Sequence, residues 1–193
     1  MFESLEKVQI DLVERLAGAA KDRKSPMHVP TVVTSDVDAR IMVLRAFDSA
    51  AWTLRFHTDT RAPKVAAIRR DPRMAVLLYD QRAKVQIRVR GQGRILCGDP
   101  IVDAAWAASD NFARRCYLGD GPGTPSDTPT SGLPPEFEGV EPTDAQLVPA
   151  RANFAVLLVE IEEIDWFYLA HTGHVRARFE RDGGAWQGSW VSP

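Results

Sequence analysis

Four short segments between residues 40 and 91 decide the fold: RIMVLR at 40–45, FHTDTRAPK at 56–64, DPRMAVLLYD at 71–80 and VQIRVRG at 85–91. In each of them a β-branched or apolar stretch, typical of a strand, lies next to cationic or hydroxyl residues. A barrel with a purely structural role has no need for arginine and lysine at so many strand ends and turns. The pattern therefore indicates a β-barrel that holds an anionic, planar cofactor.

Short strands surround these segments. Runs rich in β-branched and aromatic residues at 29–34, 41–47 and 52–58 are separated only by the turn-like sequences SDVDA and DSAA, which favours antiparallel neighbours. Residues 74–79 form an almost continuous apolar strand, and strict alternation over 85–90 predicts another. One face of that last strand belongs to the core, and its other face is polar and suited to anions.

Helices and a C-terminal strand region complete the predicted chain. Apolar residues at helical spacing predict a helix over 2–20, and proline near a helix start predicts further helices over 63–70 and from 99 to about 115. Residues 119–139 are crowded with Gly and Pro, so they are predicted to be an irregular loop. A long strand over 154–164 precedes two or three more antiparallel strands. The sum is one domain over 1–193 of mainly β or α+β class.

Composition narrows the function classes. The net charge of −2, from 24 basic and 26 acidic residues, argues against a general nucleic-acid binder. Charges throughout the first twenty residues exclude the apolar core of a signal peptide, and no apolar run is long enough to span a bilayer. Cys97 and Cys116 fit no zinc or redox spacing, so we expect free thiols and a cytoplasmic protein. His171 and His174 lack a third ligand, so no metal is expected.

The segment FHTDTRAPK predicts a phosphate site. Thr58, Arg61 and Lys64 lie within seven residues at the start of a helix, whose free N–H groups and dipole attract anions. An exposed helix start whose basic residues face water explains the same residues equally well. No Walker loop and no GxGxxG motif is present, so the usual nucleotide folds are not supported.

Two further observations leave alternatives open. Arg40 and Arg45 are five residues apart, so on a regular strand they point to opposite faces unless a bulge intervenes. Gln86 can donate and accept hydrogen bonds, which suits the edge of a heteroaromatic ring, but a solvent-facing glutamine fits its position as well. No catalytic residue follows from the order of residues.

Taken together, these motifs resemble the pyridoxamine 5'-phosphate oxidase-like FMN-binding split-barrel family. The resemblance rests on five motifs in matching order and spacing: Arg40–Arg45, Phe56–Thr58, Arg61–Lys64, Asp71–Arg73 and Gln86–Gly91. It covers residues 30–96 strongly. A C-terminal stretch, Trp186–Pro193, extends it weakly over 154–193, with Trp190 where the family has its terminal arginine.

The resemblance implies an antiparallel split β-barrel with peripheral helices that forms a homodimer, with FMN at the subunit interface and a small-molecule substrate. Phosphate and ribityl contacts are implied for residues of the first three motifs, a flavin-ring contact for Gln86, and a late ring contact for Trp166 or, alternatively, Tyr168. The complete set of implied FMN-binding residues is Arg40, Met42, Val43, Leu44, Arg45, His57, Thr58, Arg61, Lys64, Gln86, Trp166 and Arg178.

Departures from the family pattern bear on the substrate. The oxidase holds its pyridoxal substrate with an Arg-x-His motif, where this chain has His174-Val175-Arg176, and a Gln-Ser pair is missing from 105–125. The pattern is therefore closer to the related subfamily of unassigned substrate. An FMN-dependent oxidoreductase is the first hypothesis. A flavin-binding or haem-handling module without turnover is the second, and the true pyridoxamine/pyridoxine 5'-phosphate oxidase is the third.

Overall fold

A curled antiparallel sheet organises the computed structural model, which describes residues 2–193. Its strands are β1 (Thr31–Thr34), β2 (Ala39–Ile41), β3 (Leu44–Asp48), β4 (Thr53–Asp59), β5 (Arg73–Asp80), β6 (Val85–Leu96), β7 (Phe154–Tyr168), β8 (Val175–Asp182) and β9 (Ala185–Trp190). Its helices are α1 (Leu5–Lys21), α2 (Pro63–Arg70), α3 (Pro100–Ala107), α4 (Asn111–Arg114) and α5 (Asp144–Leu147).

Strand β7 pairs with three other strands and so connects the parts of the sheet. The main strand order is β2-β1-β5-β6-β7-β4-β3, and β8 and β9 extend from β7. The first half of β7 pairs with β4 and its second half pairs with β8, while β6 follows it along most of its length. Because one edge of β7 is shared by two strands, the sheet divides and curls. The predicted antiparallel split β-barrel with peripheral helices is confirmed.

The main core lies between α1 and the inner face of the sheet. Ser4 caps α1, and Val8, Leu12 and Leu16 are completely buried against the strands. Trp166 of β7 is also completely buried there, and its indole N–H donates a 2.9 Å hydrogen bond to the carboxylate of Asp11. The helix predicted over 2–20 therefore packs its apolar face against the sheet.

A second, smaller core lies on the other face of β7. Val156 and Leu158 point there and pack with Val102, Ala105 and Leu147 of the short helices. The first half of β7 is thus buried on both faces, which explains why its sequence reads as a continuous apolar run rather than an alternating one. This second layer places α3, α4 and the following loop beside β4.

The structure corrects two predicted elements and extends a third. The strand predicted over 41–47 is broken, because β2 ends at Ile41 and β3 begins at Leu44. The helix predicted from 99 to 115 is two helices: Asp110 accepts a 2.6 Å hydrogen bond from the backbone N–H of Ala113 and so caps a new helix. Strand β7 continues to Tyr168. The loop over 119–139 is irregular as predicted, except for one 3-10 turn at Pro135–Phe137.

Within residues 2–193, no helix has both the length and the apolar composition needed to cross a membrane.

Candidate functional site

A cavity of about 310 Å³ lies between β2, the start of β3, the end of β4 and the N-terminus of α2. Seven of the residues that the sequence predicted for the cofactor line it: Arg40, Met42, Val43, Arg45, His57, Thr58 and Lys64. We call this cavity the phosphate pocket, after the ligand that the sequence predicts for it. Three sequence motifs that are separate along the chain therefore meet at one place.

Arg40 and Arg45 reach the same pocket because the strand between them is irregular. Met42 and Val43 belong to no strand, and the Met42 N–H donates to Pro30 O instead of a ladder partner. A register shift between Leu44 and Ala46 then makes Arg45 a bulge residue. On a regular strand Arg40 and Arg45 would point to opposite faces. Because of the break and the bulge, both line the same pocket.

Lys64 lines the pocket without forming an ion pair among the described residues. Within residues 2–193 its ammonium group forms no ion pair, and desolvation together with the nearby charge of Arg40 lowers its pKa. It is the second residue of α2, a helix that starts with Pro63 and has no side-chain N-cap. An unpaired ammonium group beside an uncapped helix start is a site that an anion would stabilise.

Arg61 is held by the carboxylate of Asp59. Asp59 accepts hydrogen bonds from Nε of Arg61 at 3.0 Å and from Nη2 at 2.7 Å, and it also accepts from the Arg61 backbone N–H at 2.8 Å. This carboxylate raises the pKa of Arg61. Asp59 lines the phosphate pocket, whereas Arg61 is not among its lining residues. The structure therefore places a neutralised arginine at the rim, where the sequence predicted a free one.

Arg40 is also fixed by neighbours. Its guanidinium donates to the hydroxyl of Thr34 at 3.0 Å and pairs with Asp38. Its side chain is 19% exposed and still lines the pocket. These contacts hold the guanidinium in a defined orientation before any ligand arrives.

The Gly/Pro loop forms the outer wall of the pocket. Pro122 lines it, and Gly121 and Gly123 lie against the side chains of Arg61 and Pro63. The base of the loop is tight, because a Cβ on Gly119 would come within 2.7 Å of the Gly132 carbonyl oxygen. Any larger residue at position 119 would push the two ends of the loop apart.

A larger cavity of about 560 Å³ adjoins the phosphate pocket and shares Val43, Arg45 and His57 with it. His57 packs edge-on against Phe154, with ring centroids 5.0 Å apart. Burial and the charges of Arg45 and Arg55 lower the pKa of His57 from 6.5 to about 4. Its imidazole is therefore neutral at physiological pH.

Four predicted residues lie elsewhere in this chain. Leu44 is completely buried in the main core, and Trp166 is buried beneath α1. Gln86 and Arg178 lie on the outer face of β6 and β8, opposite the core-facing side chains. Tyr168, the alternative to Trp166, is partly buried and packs against Phe2. The chain does not bring any of these four into the phosphate pocket.

The outer sheet face around Gln86 and Arg178 carries a buried charge network. Asp165 is only 3% exposed there, and it accepts hydrogen bonds from Arg88 and from Arg176, the latter at 2.6 Å. These two arginines lower the pKa of Asp165 against the opposing effect of burial. The Nε atoms of Arg88 and Arg178 are buried and have no hydrogen-bond partner within residues 2–193. We call these four charged residues the outer-face network.

Sequence reasoning missed several pocket residues. Asp59 has a counterpart elsewhere in the sequence: an aspartate followed two residues later by an arginine also occurs at Asp71 and Arg73, where the same pair of hydrogen bonds forms. Cys116 and Tyr117 enter the pocket from a 3-10 turn that follows α4, and burial raises the pKa of both. Nothing in their local sequence predicts that placement. Within residues 2–193, no group of three or more metal-ligating residues is clustered for a metal ion.

Comparison with known families agrees with this geometry. Residues 11–97 match the family model described as "Pyridoxamine 5'-phosphate oxidase, FMN-binding domain". This match supports the pyridoxamine 5'-phosphate oxidase-like family that the sequence motifs suggested. The matched range contains β1 to β6, α2 and every predicted residue that lines the phosphate pocket.

Solved structures share the fold of this chain. A pyridoxamine 5'-phosphate oxidase-related, FMN binding protein from Nostoc punctiforme PCC 73102 matches with a TM-score of 0.77 and 22% identity, covering 98% of this chain and 100% of the other. PhzG from Burkholderia lata 383, solved in complex with tetrahydrophenazine-1-carboxylic acid, matches with a TM-score of 0.69 and 20% identity, covering 96% and 92%. At these identities the likeness shows the fold. No curated protein matches the chain.

Proposed function

We propose that this protein is an FMN-dependent oxidoreductase that acts, as a homodimer, on a small organic molecule. One observation carries the proposal: within residues 2–193, Lys64 lines the phosphate pocket without forming an ion pair and lies at an uncapped helix start. A dianionic phosphate supplies the charge that this ammonium group lacks. The alternative of an exposed helix start facing water is disfavoured, because desolvation is the largest influence on the pKa of Lys64.

The residues present fit FMN. Lys64, Arg40 and the hydroxyl of Thr58 surround the pocket and would hold the phosphate, and Thr58 is 4% exposed. The irregular backbone at Met42 and Val43 lines the same pocket and would lie along the ribityl chain. When bound, FMN supplies hydride transfer, and the chain supplies position, charge and exclusion of water.

A second copy of the chain would complete the site. Gln86 and Arg178 are distant from the phosphate pocket in strand order and face outward. There, within residues 2–193, the buried Nε atoms of Arg88 and Arg178 form no hydrogen bond, although Nε of Arg178 lies 3.5 Å from a carboxylate oxygen of Glu163. Exposed Leu77 and Tyr79 adjoin this network on β5. An apolar patch next to orphaned donors is typical of a face that a partner covers. In a homodimer, this face of one copy would meet the flavin in the pocket of the other.

Pyridoxamine 5'-phosphate is not the substrate we propose. Arg176, the cation closest in sequence to the missing Arg-x-His motif, donates three hydrogen bonds of 2.6 to 3.2 Å to Asp165. A guanidinium already satisfied by a buried carboxylate is a poor ligand for a substrate hydroxyl or phosphate. Some other small molecule is therefore expected to meet the flavin.

The test is to mix the FMN-loaded protein, under anaerobic conditions, with a panel of reduced nicotinamides, dithiols and organic donors. Loss of the visible absorption of the flavin measures its reduction. Reduction by at least one donor, faster than that of free FMN, is the expected result. If no donor reduces the protein-bound FMN faster than it reduces free FMN, a flavin-binding module without turnover would be favoured. Oxygen uptake with pyridoxamine 5'-phosphate at about 1 per second or more would instead identify the salvage oxidase.

A further inference from the structure

Residues 120–132 form a loop whose two ends meet beside the phosphate pocket. The backbone N–H of Asp120 donates a 2.8 Å hydrogen bond to the carbonyl oxygen of Gly132, which closes the loop at its base. Gly132 has a φ of 71°, a left-handed conformation that glycine adopts without strain. Compact surface loops whose ends lie close together are Ω-loops, and they are frequently functional. We call residues 120–132 the flap, and the contact of Gly119 and Asp120 with Gly132 its neck.

The first residues of the flap lie against the start of α2. A Cβ placed on Gly121 would lie 3.4 Å from Cβ of Arg61, and one placed on Gly123 would lie 3.6 Å from Cγ of Pro63. Pro122, between these two glycines, lines the phosphate pocket. Pro63 is the first residue of α2 and Lys64 is the second. The flap therefore covers the helix start that is proposed to hold the phosphate.

Few contacts hold the flap in this position. Its sequence, DGPGTPSDTPTSG, contains no large apolar side chain, and residues 122–131 are all exposed. Its side-chain hydrogen bonds are local: the hydroxyl of Thr124 donates to Gly121 O at 2.6 Å, and that of Ser126 donates to Thr128 O at 2.8 Å. Segments with few buried apolar contacts and exposed hydrogen bonds have low local stability. We therefore expect the flap to open while the barrel stays folded.

The chain that follows the flap is anchored separately. Arg115, in the 3-10 turn after α4, donates hydrogen bonds to the carbonyl oxygens of Phe137 at 2.8 Å and of Val140 at 3.1 Å. The same guanidinium lies over the ring of Phe112, 4.0 Å from its centroid. These contacts tie residues 137–140 to α4. The part of the loop that is free to move consequently ends near Gly132, at the neck.

We infer that the flap closes over the phosphate end of the FMN site and that its opening sets the rate at which FMN enters and leaves. The inference rests on the proposed function, because FMN is the ligand that the flap retains. In the closed position Pro122 and its two neighbouring glycines shield the start of α2 from water. Exclusion of water strengthens the attraction between a phosphate and Lys64. The flap lies outside residues 11–97, the range that matches the family model.

A disulfide that locks the flap closed tests this inference. The Cβ separation of 3.4 Å between positions 61 and 121 is close to the range for disulfides, about 3.5–4.5 Å. Arg61→Cys/Gly121→Cys is made in a Cys97→Ser/Cys116→Ser background, which removes both natural thiols. The protein is loaded with FMN while reduced, and one half is then oxidised. Because the two halves have the same sequence, the loss of Arg61 affects both equally. Recovery of flavin fluorescence after dilution measures the release of FMN.

The oxidised form should release FMN at least about tenfold more slowly than the reduced form. In the natural background, Gly119→Ala should have the opposite effect, because its Cβ would come within 2.7 Å of the Gly132 carbonyl oxygen and force the neck open. Asp127→Ala, at the exposed tip of the flap, is the control and should release FMN like the wild type. Equal release from the oxidised and reduced forms would overturn the inference, whatever the Gly119→Ala variant shows.

Hydrogen exchange of the flavin-free protein supplies a measurement that needs neither FMN nor a substitution. After correction for intrinsic rates, the Asp120 amide should exchange at least about tenfold faster than the Ile161 amide, which donates to Trp52 O in the sheet. Equal protection of the two amides would show that the flap opens only with global unfolding, and would overturn the inference. The failures are distinguishable: if FMN binds and the lock changes nothing, only the flap fails, whereas absence of FMN binding in the wild type refutes the proposed function itself.

Discussion

Asp59 neutralises Arg61 at the rim of the phosphate pocket, through hydrogen bonds of 3.0 and 2.7 Å from the guanidinium to the carboxylate. The sequence predicted a cluster of free cations in this basic turn, but the Asp59 carboxylate neutralises part of that positive charge. Lys64, three residues later, has no such partner within residues 2–193. The charge available for an anion in this turn consequently lies on Lys64.

Lys64→Met should weaken FMN more than riboflavin, because riboflavin lacks the phosphate. A lost charge-assisted hydrogen bond costs about 1.5–3 kcal/mol, so the FMN dissociation constant should rise about 10- to 150-fold. Fluorescence titration with both ligands measures the difference. Arg70→Met, on the same helix but outside the pocket, is the control. Equal losses for the two ligands would show that Lys64 does not meet the phosphate.

The Asp59–Arg61 pair should act as a neutral unit. Arg61→Gln alone leaves the Asp59 carboxylate facing the phosphate and should weaken FMN. The double variant Asp59→Asn/Arg61→Gln keeps a side-chain oxygen for the backbone N–H, and its FMN affinity should stay within about threefold of wild type, a difference below roughly 0.7 kcal/mol. A loss in the double variant as large as that of Lys64→Met would make Arg61 a direct phosphate ligand.

Asp11→Ala should destabilise the fold. It removes the acceptor of the Trp166 indole N–H at 2.9 Å and leaves that completely buried donor without a partner. We expect a loss of about 1–3 kcal/mol in the free energy of unfolding. Urea denaturation measures it, and Glu14→Ala, an exposed position on the same helix, should change stability little. A midpoint for Asp11→Ala equal to that of the control would contradict this account of the Trp166 contact.

Stability should fall on acidification because of His57. Its pKa is about 4 in the folded protein and 6.5 as a reference for the unfolded chain. Between these values the unfolded chain binds a proton that the folded chain does not, so the free energy of unfolding decreases as pH falls from 6.5 to 4. The loss should be about 1–3 kcal/mol, after allowance for partial exposure. His57→Gln should show a flatter profile, while His171→Asn, in an exposed turn, should follow the wild type.

Leu77→Arg should break the proposed dimer. Leu77 pairs with Arg88 on the outer sheet face and is 39% exposed in the single chain. A second cation beside the outer-face network would repel the partner copy. Light scattering should report two chains for the wild type and one for the variant. Ile10→Arg, on the exposed side of α1, is the control. A monomeric wild type at micromolar concentration would refute the dimer.

The fold could be predicted from the sequence wherever the local residue pattern matches the element that the residues form in the barrel. Alternation in β6 and short turns between β1 and β2 predicted the sheet, because each signal is set by neighbouring residues. The break at Met42 and Val43 was not predictable, since nothing in their apolar side chains signals an interrupted strand. That break is what brings Arg40 and Arg45 to one pocket.

The candidate site was predictable only in part, for a similar reason. Lys64 and Thr58 lie in one continuous motif, so their proximity could be read from spacing. The cavity beyond them joins Arg23, Arg55 and α4, which are separated by up to 91 positions between residues 23 and 114 and meet only through the tertiary fold. Asp110, which divides the predicted helix, caps α4 and lines this cavity.

Titration of the purified, flavin-free protein with FMN, FAD and riboflavin, followed by quenching of flavin fluorescence, tests the central claim most directly. The phosphate pocket predicts saturable binding with FMN tightest and riboflavin weakened by loss of the Lys64 contact. FAD should bind more weakly than FMN, since its phosphates are esterified at both ends and it lacks the dianionic terminal phosphate that Lys64 would meet. A protein that takes up no FMN, or that binds FAD or riboflavin as tightly as FMN, would contradict the account.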